Sequence, residues 1–182
     1  MSLGMKKMAG GLEKRVALVA LGIIVATPIL LLSYIHEKLD TAPLPIGKPI
    51  PLRNLLSLRD SSFSLSSLRN GRAVLMVFSA ECPHCIRMLS VFDSIEREYG
   101  GKATFAGLSI SNRDTTAKLI SASSISFRVF LDQNDSAKNA LRVTTVPVTF
   151  LIDSGLILRN EIFGEVSPKI EEEAVKTLVE SK

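Results

Sequence analysis

Cys82 and Cys85 are the only cysteines among 182 residues, and Pro83 and His84 alone separate them. Two thiols at that spacing can close and reopen a short disulfide, or supply two ligands to a metal. A structural zinc site needs two further ligands. The only histidines are His36, just beyond an apolar run, and His84, between the cysteines. Metal binding is therefore not expected, and Cys82-Pro83-His84-Cys85 reads as a dithiol–disulfide redox site with no cofactor and no metal.

Such a pair must be held where one sulfur is reachable and stabilised as a thiolate. Ala73 to Phe78 (AVLMVF) is an apolar run after Gly71, which predicts a buried strand. Ile86, Leu89, Phe92 with Val91, Ile95 and Tyr99 recur at steps of three and four, which predicts an amphipathic helix over 86–99. Cys82 then falls where strand becomes helix, beside backbone N–H groups not used by helix bonds and at the positive end of the dipole. Cys85 lies one turn further in. His84 is placed to stabilise the Cys82 thiolate by charge or hydrogen bond, and Pro83 to stiffen the turn.

The rest of the chain is expected to build an α/β sandwich around that junction. Residues 51–72 suggest a short strand pair, with Phe63 and Leu65 apolar among serines, ending at the Asn70-Gly71 turn. Ala103–Ile110 predicts a second buried strand. Asn112 or Asp114 caps a helix to about Ala122, with Ala117, Leu119 and Ile120 inward. Phe127–Leu131 alternates as a strand and 135–141 makes a short helix. Val148–Ile152 and Leu156–Phe163 form a hairpin about Asp153-Ser154-Gly155. A last helix starts at Ser167-Pro168, with Ile170, Ala174 and Leu178 inward.

Composition narrows the function classes. The net charge of +4 is local, since Lys6, Lys7, Lys14 and Arg15 precede the apolar run and 18 basic residues face 17 acidic ones from His36 onward. With no tryptophan and few aromatics, a nucleic-acid surface is not expected. No phosphate-binding GxxxxGK loop and no GxSxG elbow is present. Residues 16–35 (VALVALGIIVATPILLLSYI) carry no charge and are long enough to cross a hydrocarbon core of ~30 Å as one helix. A cleaved signal peptide is the alternative, but its apolar region is usually roughly 7–15 residues and a small-x-small site would follow it. The expected order is a cytoplasmic N-terminus over 1–15, a transmembrane anchor over 16–35, a Pro-rich linker over 36–50 and a globular domain over 51–182. The positive-inside rule leaves the basic end in the cytoplasm and exports the cysteines, to a single-pass position facing the periplasm or exterior where disulfides persist.

The order strand, CxxC, helix, then Thr145-Val146-Pro147 leading into strand, strand and helix resembles the thioredoxin fold. Within it, 47–182 look most like the membrane-anchored TlpA/ResA-type proteins. Gly47-Lys48-Pro49-Ile50-Pro51 is similar to their leading segment and Leu65-Ser66-Ser67-Leu68 to the stretch before their central strand. The 61 residues between Cys85 and Pro147 leave room for one extra strand–helix unit within 103–131. The resemblance implies a three-layer α/β sandwich and a redox-active disulfide between Cys82 and Cys85. It also implies a cis peptide before Pro147 against that pair, with backbone groups at Thr145 and Val146 offered to a client polypeptide. The function it implies is disulfide exchange with exported thiol-bearing proteins during maturation, with apocytochrome c or amine dehydrogenase type clients, recharged by a membrane or periplasmic electron donor or acceptor. Three features depart from the family. Glu81 stands where Trp is common, Met76 where thioredoxins hold a buried acid, and the dipeptide Pro-His is that of DsbA, a low-pKa oxidising dithiol. A DsbA-like disulfide donor is thus the rival enzyme reading, and a non-catalytic maturation or metal-delivery scaffold the rival from another class.

Overall fold

The computed structural model describes residues 21–35, 43–51, 56–58, 68–69, 71–132 and 134–181. The chain forms two compact units, Met1–Ala42 and Pro43–Lys182, each described by itself. In the first, residues 21–35 form a helix, α1, with apolar side chains such as Ile24, Leu30 and Leu32 exposed. Its hydroxyls turn back on their own helix, Thr27 donating to the Ile23 carbonyl and Ser33 to that of Leu30, both at 2.9 Å. Among the described residues no helix is long and apolar enough to cross a membrane. The expected span of 16–35 begins outside them, as do 1–15 and His36.

The second unit is a thioredoxin-like α/β sandwich on a six-stranded sheet ordered β1-β4-β3-β2-β5-β6. The strands are β1 (Leu56–Ser57), β2 (Ala73–Phe78), β3 (Thr104–Ser109), β4 (Arg128–Leu131), β5 (Val148–Asp153) and β6 (Ile157–Phe163). β2 runs parallel to β3, and β3 to β4, while β5 is antiparallel to both β2 and β6. Every residue of β2 is buried, because side chains alternate between two covered faces. Val74, Met76 and Phe78 enter the core under α2 (Pro83–Tyr99), α3 (Arg113–Ala122) and α5 (Pro168–Glu180). Ala73, Leu75 and Val77 enter the opposite core with Leu44, Ile50, Leu68 and α4 (Ser136–Ala140).

Packing on the α2 face centres on Phe92, edge-on to Phe105 at 5.2 Å and to Phe127 at 4.9 Å between ring centroids. Gly107 makes room for this. A Cβ there would lie 3.0 Å from the rings of both Phe127 and Phe78. Asp132 at the end of β4 is buried and accepts from the Ala137 and Lys138 amides at 3.1 and 2.7 Å, fixing the start of α4.

The elements differ from expectation where one residue of phase or one long-range partner decides. Ile86 is exposed, and α2 turns Cys85, Met88, Leu89, Phe92 and Asp93 inward instead. Asp93 tolerates this because it pairs with Arg97 at 2.5 Å and accepts from the Ser126 amide at 2.6 Å. On α3 the buried residues are Thr116 and Ile120, with Thr116 bonded to Ser109 at 2.7 Å, while Ala117 and Leu119 are half-buried. On α5 Ile170 faces solvent and Glu171 is buried, one residue out of the expected phase. The strand pair over 51–72 is not a hairpin in its described part, since β1 pairs with β4. Phe63, Leu65 and Asn70 lie outside the described residues. Residues 44–50, expected within the linker, pack into the second unit. Leu44 and Ile50 are buried, and Gly47 and Ile50 donate to the Leu158 and Leu156 carbonyls at 2.8 and 2.9 Å.

Glu171 has both carboxyl oxygens buried without a hydrogen bond to any described residue. Burial pushes its pKa up, and the nearby Thr149 hydroxyl offsets this only in part. Below the ordinary glutamate pKa of ~4.3 the acid is neutral in both states. As pH rises, the unfolded chain ionises first and stability is lost until the folded group titrates. Glu171→Gln should therefore match the parent near pH ~4 and unfold at higher denaturant than the parent at pH ~8, in urea titrations of the full-length protein at both pH values. Gly107→Val, which drives a side chain into two rings, should cost roughly 1–3 kcal/mol in the same titration.

Candidate active site at the first turn of α2

β2 ends at Phe78 and α2 begins at Pro83, so four residues make the turn that carries the first thiol. Cys82 is the N-cap, with extended backbone (φ −87°, ψ 116°), and Pro83 occupies the first helical position, where a missing N–H costs nothing. The turn is braced from the next strand. Ser111, just past β3, accepts from the Ala80 amide at 2.9 Å and lies 3.1 Å from the Ser79 hydroxyl. The same hydroxyls hold Glu81, Ser79 at 2.8 Å and Ser111 by a shorter contact. Those bonds keep the Glu81 carboxyl below the usual carboxylate range. Glu81 is exposed and occupied with this brace, so it does not serve as the buried acid that Met76 lacks.

The two sulfurs have opposite surroundings. Both thiols are unbonded; Cys82 is half-buried and Cys85 fully buried. Burial alone would push the Cys82 thiol up. The Cys85 backbone N–H, the Cys85 side chain, the His84 backbone N–H and the charge of Arg87 outweigh it, and the net displacement is downward. For Cys85 burial wins. Its thiol is pushed up to about 12, although the Ser79 N–H donates to the sulfur at 3.5 Å. A nucleophile at the surface and a protonated partner behind it follow from these two solvation states.

The loop of Thr145, Val146 and Pro147, leading into β5, lies beside this turn. The Val146–Pro147 peptide is cis, and Val146 turns its carbonyl to Cys82 Sγ at 3.9 Å. Thr145 is exposed, Val146 half-buried and Pro147 buried. The Thr145–Pro147 loop thus borders the reachable sulfur. A cavity of about 370 Å³ between α5 and β5–β6 is lined by Leu151, Asp153 and Arg159, at the opposite end of the sheet.

His84 is exposed on the first turn of α2. Its Nδ1 lies 2.6 Å from Glu165 Oε2, in the connection between β6 and α5. Arg87 binds the same carboxylate twice, Nε to Oε1 at 2.7 Å and Nη2 to Oε2 at 2.6 Å. These bonds, Arg87 foremost, hold Glu165 down to about 2. Sequence reasoning missed Arg87, Glu165, Ser79 and Ser111. Arg87 was within reach of it, being a basic residue one helical turn after His84. Glu165 and Ser111 come from distant parts of the chain and have no local signal. Among the described residues, no group of His, Cys, Asp and Glu could hold a metal ion.

Comparison with known proteins places this geometry. The AhpC/TSA family model matches residues 46–160. The chain belongs to the AhpC/TSA family. A thiol:disulfide interchange protein DsbE of Pasteurella multocida is 27% identical over 144 residues, 73% of this chain and 74% of that protein. Among solved structures, a thiol:disulfide interchange protein DsbE of Chlorobium tepidum shares the fold with a TM-score of 0.66 at 17% identity, covering 75% of this chain and 96% of its own. A secreted Mycobacterium tuberculosis disulfide oxidoreductase matches with a TM-score of 0.63 at 16% identity, covering 69% and 95%. The thioredoxin-type resemblance read from the sequence stands, with the CxxC and the cis-proline loop both inside the matched span.

The unequal thiols predict unequal chemistry. With the reduced full-length protein at neutral pH, iodoacetamide should label Cys82 at least about tenfold faster than Cys85, read by peptide mass spectrometry.

Proposed function

We propose that the protein is an exported, membrane-tethered thiol–disulfide oxidoreductase that exchanges disulfides with extracytoplasmic proteins during their maturation. The observation that carries this reading is the asymmetric dithiol at the start of α2, a half-buried Cys82 displaced toward thiolate and a buried Cys85 held as thiol. Its likeness to a DsbE interchange protein supports the same class of reaction. The anchor would be 16–35, with 1–15 cytoplasmic and the thioredoxin-like unit outside; the helical, outward-apolar α1 supports this. The presence of α3 and β4 after β3 supports one added strand–helix unit within 103–131.

In the reducing direction, the Cys82 thiolate attacks one sulfur of a client disulfide. A Cys82–client bond forms, the client S–S bond breaks, and one client thiolate leaves to be protonated by solvent. Cys85 then gives up its proton and its sulfur attacks Cys82 Sγ. The mixed disulfide breaks, the second client thiolate leaves, and a Cys82–Cys85 disulfide forms. The client has gained two electrons and two protons, and an external dithiol must return them to the protein. The Thr145–Val146 backbone beside Pro147 holds the client chain, and His84 and Arg87 govern the charge at Cys82. Apocytochrome c and amine dehydrogenase type proteins are the leading clients.

A second reading, disulfide donation in the manner of DsbA, is favoured by the downward displacement of Cys82, since a stabilised thiolate makes the disulfide more oxidising. Equilibrating the full-length protein with glutathione decides between them. A reduction potential near ~−270 mV supports the reductant, and one near ~−120 mV the donor. Cys85→Ala should trap clients as mixed disulfides on Cys82, visible on non-reducing gels. A variant that traps none while the cell retains full biological activity would leave only a binding scaffold.

A further inference from the structure

The Pro-His dipeptide alone would leave two basic groups, His84 and Arg87, in the first turn of α2 with nothing to oppose them near Cys82. The fold supplies an opponent from far along the chain. Gly164, at a φ of 75° that favours glycine, donates its N–H to the Pro147 carbonyl at 2.8 Å. This fixes the connection after β6 against the cis-proline loop and sets Glu165 over the first turn of α2. One carboxylate then takes three contacts, two from Arg87 at 2.6 and 2.7 Å and one from His84 Nδ1 at 2.6 Å.

The hydrogens decide how this cluster works. Arg87 Nη2 lies 2.9 Å from the same His84 Nδ1, and both nitrogens cannot donate along that line. Glu165 is ionised, so a 2.6 Å contact from Oε2 to Nδ1 requires a proton on Nδ1. His84 therefore donates to Glu165, and the Arg87–His84 approach is two donors drawn together by one acceptor. Around Cys82 the titratable and charged groups are then His84 and Arg87 on α2, Glu165 on the β6–α5 connection, and Glu81, which is committed to Ser79 and Ser111.

We propose that Glu165 is a positioning residue that tunes the dithiol: it engages Arg87 and His84, withholds the Arg87 charge and the His84 N–H from Cys82 Sγ, and keeps the Cys82–Cys85 pair more reducing than its dipeptide alone would make it. The proposal rests on the redox reading above. Its sign follows from charge balance. The dithiol state contains the thiolate and the disulfide state does not, so freed cations favour the dithiol and make the disulfide a stronger oxidant. The side chains are partly exposed, which limits the size of the effect and makes it fall with salt.

The experiment measures two quantities on full-length protein at low salt, the Cys82 pKa from thiolate absorbance and the thiol–disulfide equilibrium constant against glutathione. Glu165→Gln should lower the Cys82 pKa by about half a unit and shift the equilibrium about threefold toward the dithiol, both shrinking in high salt. Glu165→Asp should stay near the parent. Arg87→Gln should move both quantities the opposite way, and serves if Glu165→Gln fails to fold. An unchanged Glu165→Gln, or one in which the Cys82 pKa rises, overturns the inference; a rise would mean that Glu165 holds Arg87 toward the sulfur instead. If the parent pair does not equilibrate with glutathione at all, the oxidoreductase reading itself fails. Normal exchange by the parent with no response to Glu165 removes only the tuning role.

Discussion

The competition between burial and backbone N–H groups at two sulfurs three residues apart governs this site. Water stabilises a thiolate, and removing water penalises it unless fixed donors take over. At Cys82 donors from the turn and the first residues of α2 do so; at Cys85 they are too few for the depth of burial. The separation exists because β2 ends and α2 begins within four residues, so one sulfur sits on the rim and the next lies one turn down inside the core. Everything that holds those four residues, including the Ser79–Ser111 brace and the Gly107 gap under Phe78, bears on the difference between the two thiols.

Much of this was readable in the chain because its signals are local. An apolar run fixed the limits of β2, and three- and four-residue steps marked the body of α2 over 86–99, although the helix begins at Pro83, three residues earlier. The cis Val146–Pro147 bond was legible only through resemblance, since no local rule chooses cis at a strand-initial proline. Phase errors arose where polar residues are buried with long-range partners. Asp93 is inward because Ser126 and Arg97 satisfy it, and Thr116 because Ser109 does. A hydropathy pattern counts those side chains as solvent-facing and so displaces the predicted stripe toward Ile86 or Ala117. Glu171 and Ile170 exchange roles in the same way, although no described partner satisfies Glu171. The cluster of His84, Arg87 and Glu165 was half legible, its helical half by spacing and its acidic half not at all, because 77 residues lie between Arg87 and Glu165.

The arrangement also separates tasks along the sheet. The end of β2 and start of β5 hold the thiols and the surface a client would touch, whereas Arg72, Asp153 and Arg159 gather at the other end. There Arg72 donates to the Val179 carbonyl at 3.0 Å and to that of Ser181, tying the last turn of α5 to the start of β2. Reactive and fastening groups are thus kept apart, and a change at one end need not disturb the other.

The segment over 44–50 has one more effect. By bonding to Leu156 and Leu158 it lies along the outer side of β6, the last strand of the sheet, and occupies amide and carbonyl groups that would otherwise face outward. Open strand borders invite pairing with other extended chains. Under the proposed exchange with maturing polypeptides, a chain that zipped onto β6 would be retained without reaching Cys82. The protein's own proline-rich segment covers the start of that border, at Leu156 and Leu158. Pro45 and Pro49 lack amide hydrogens and so do not extend a full hydrogen-bonding row to the next chain. Stacking of another extended chain on that part of the flank is thereby discouraged.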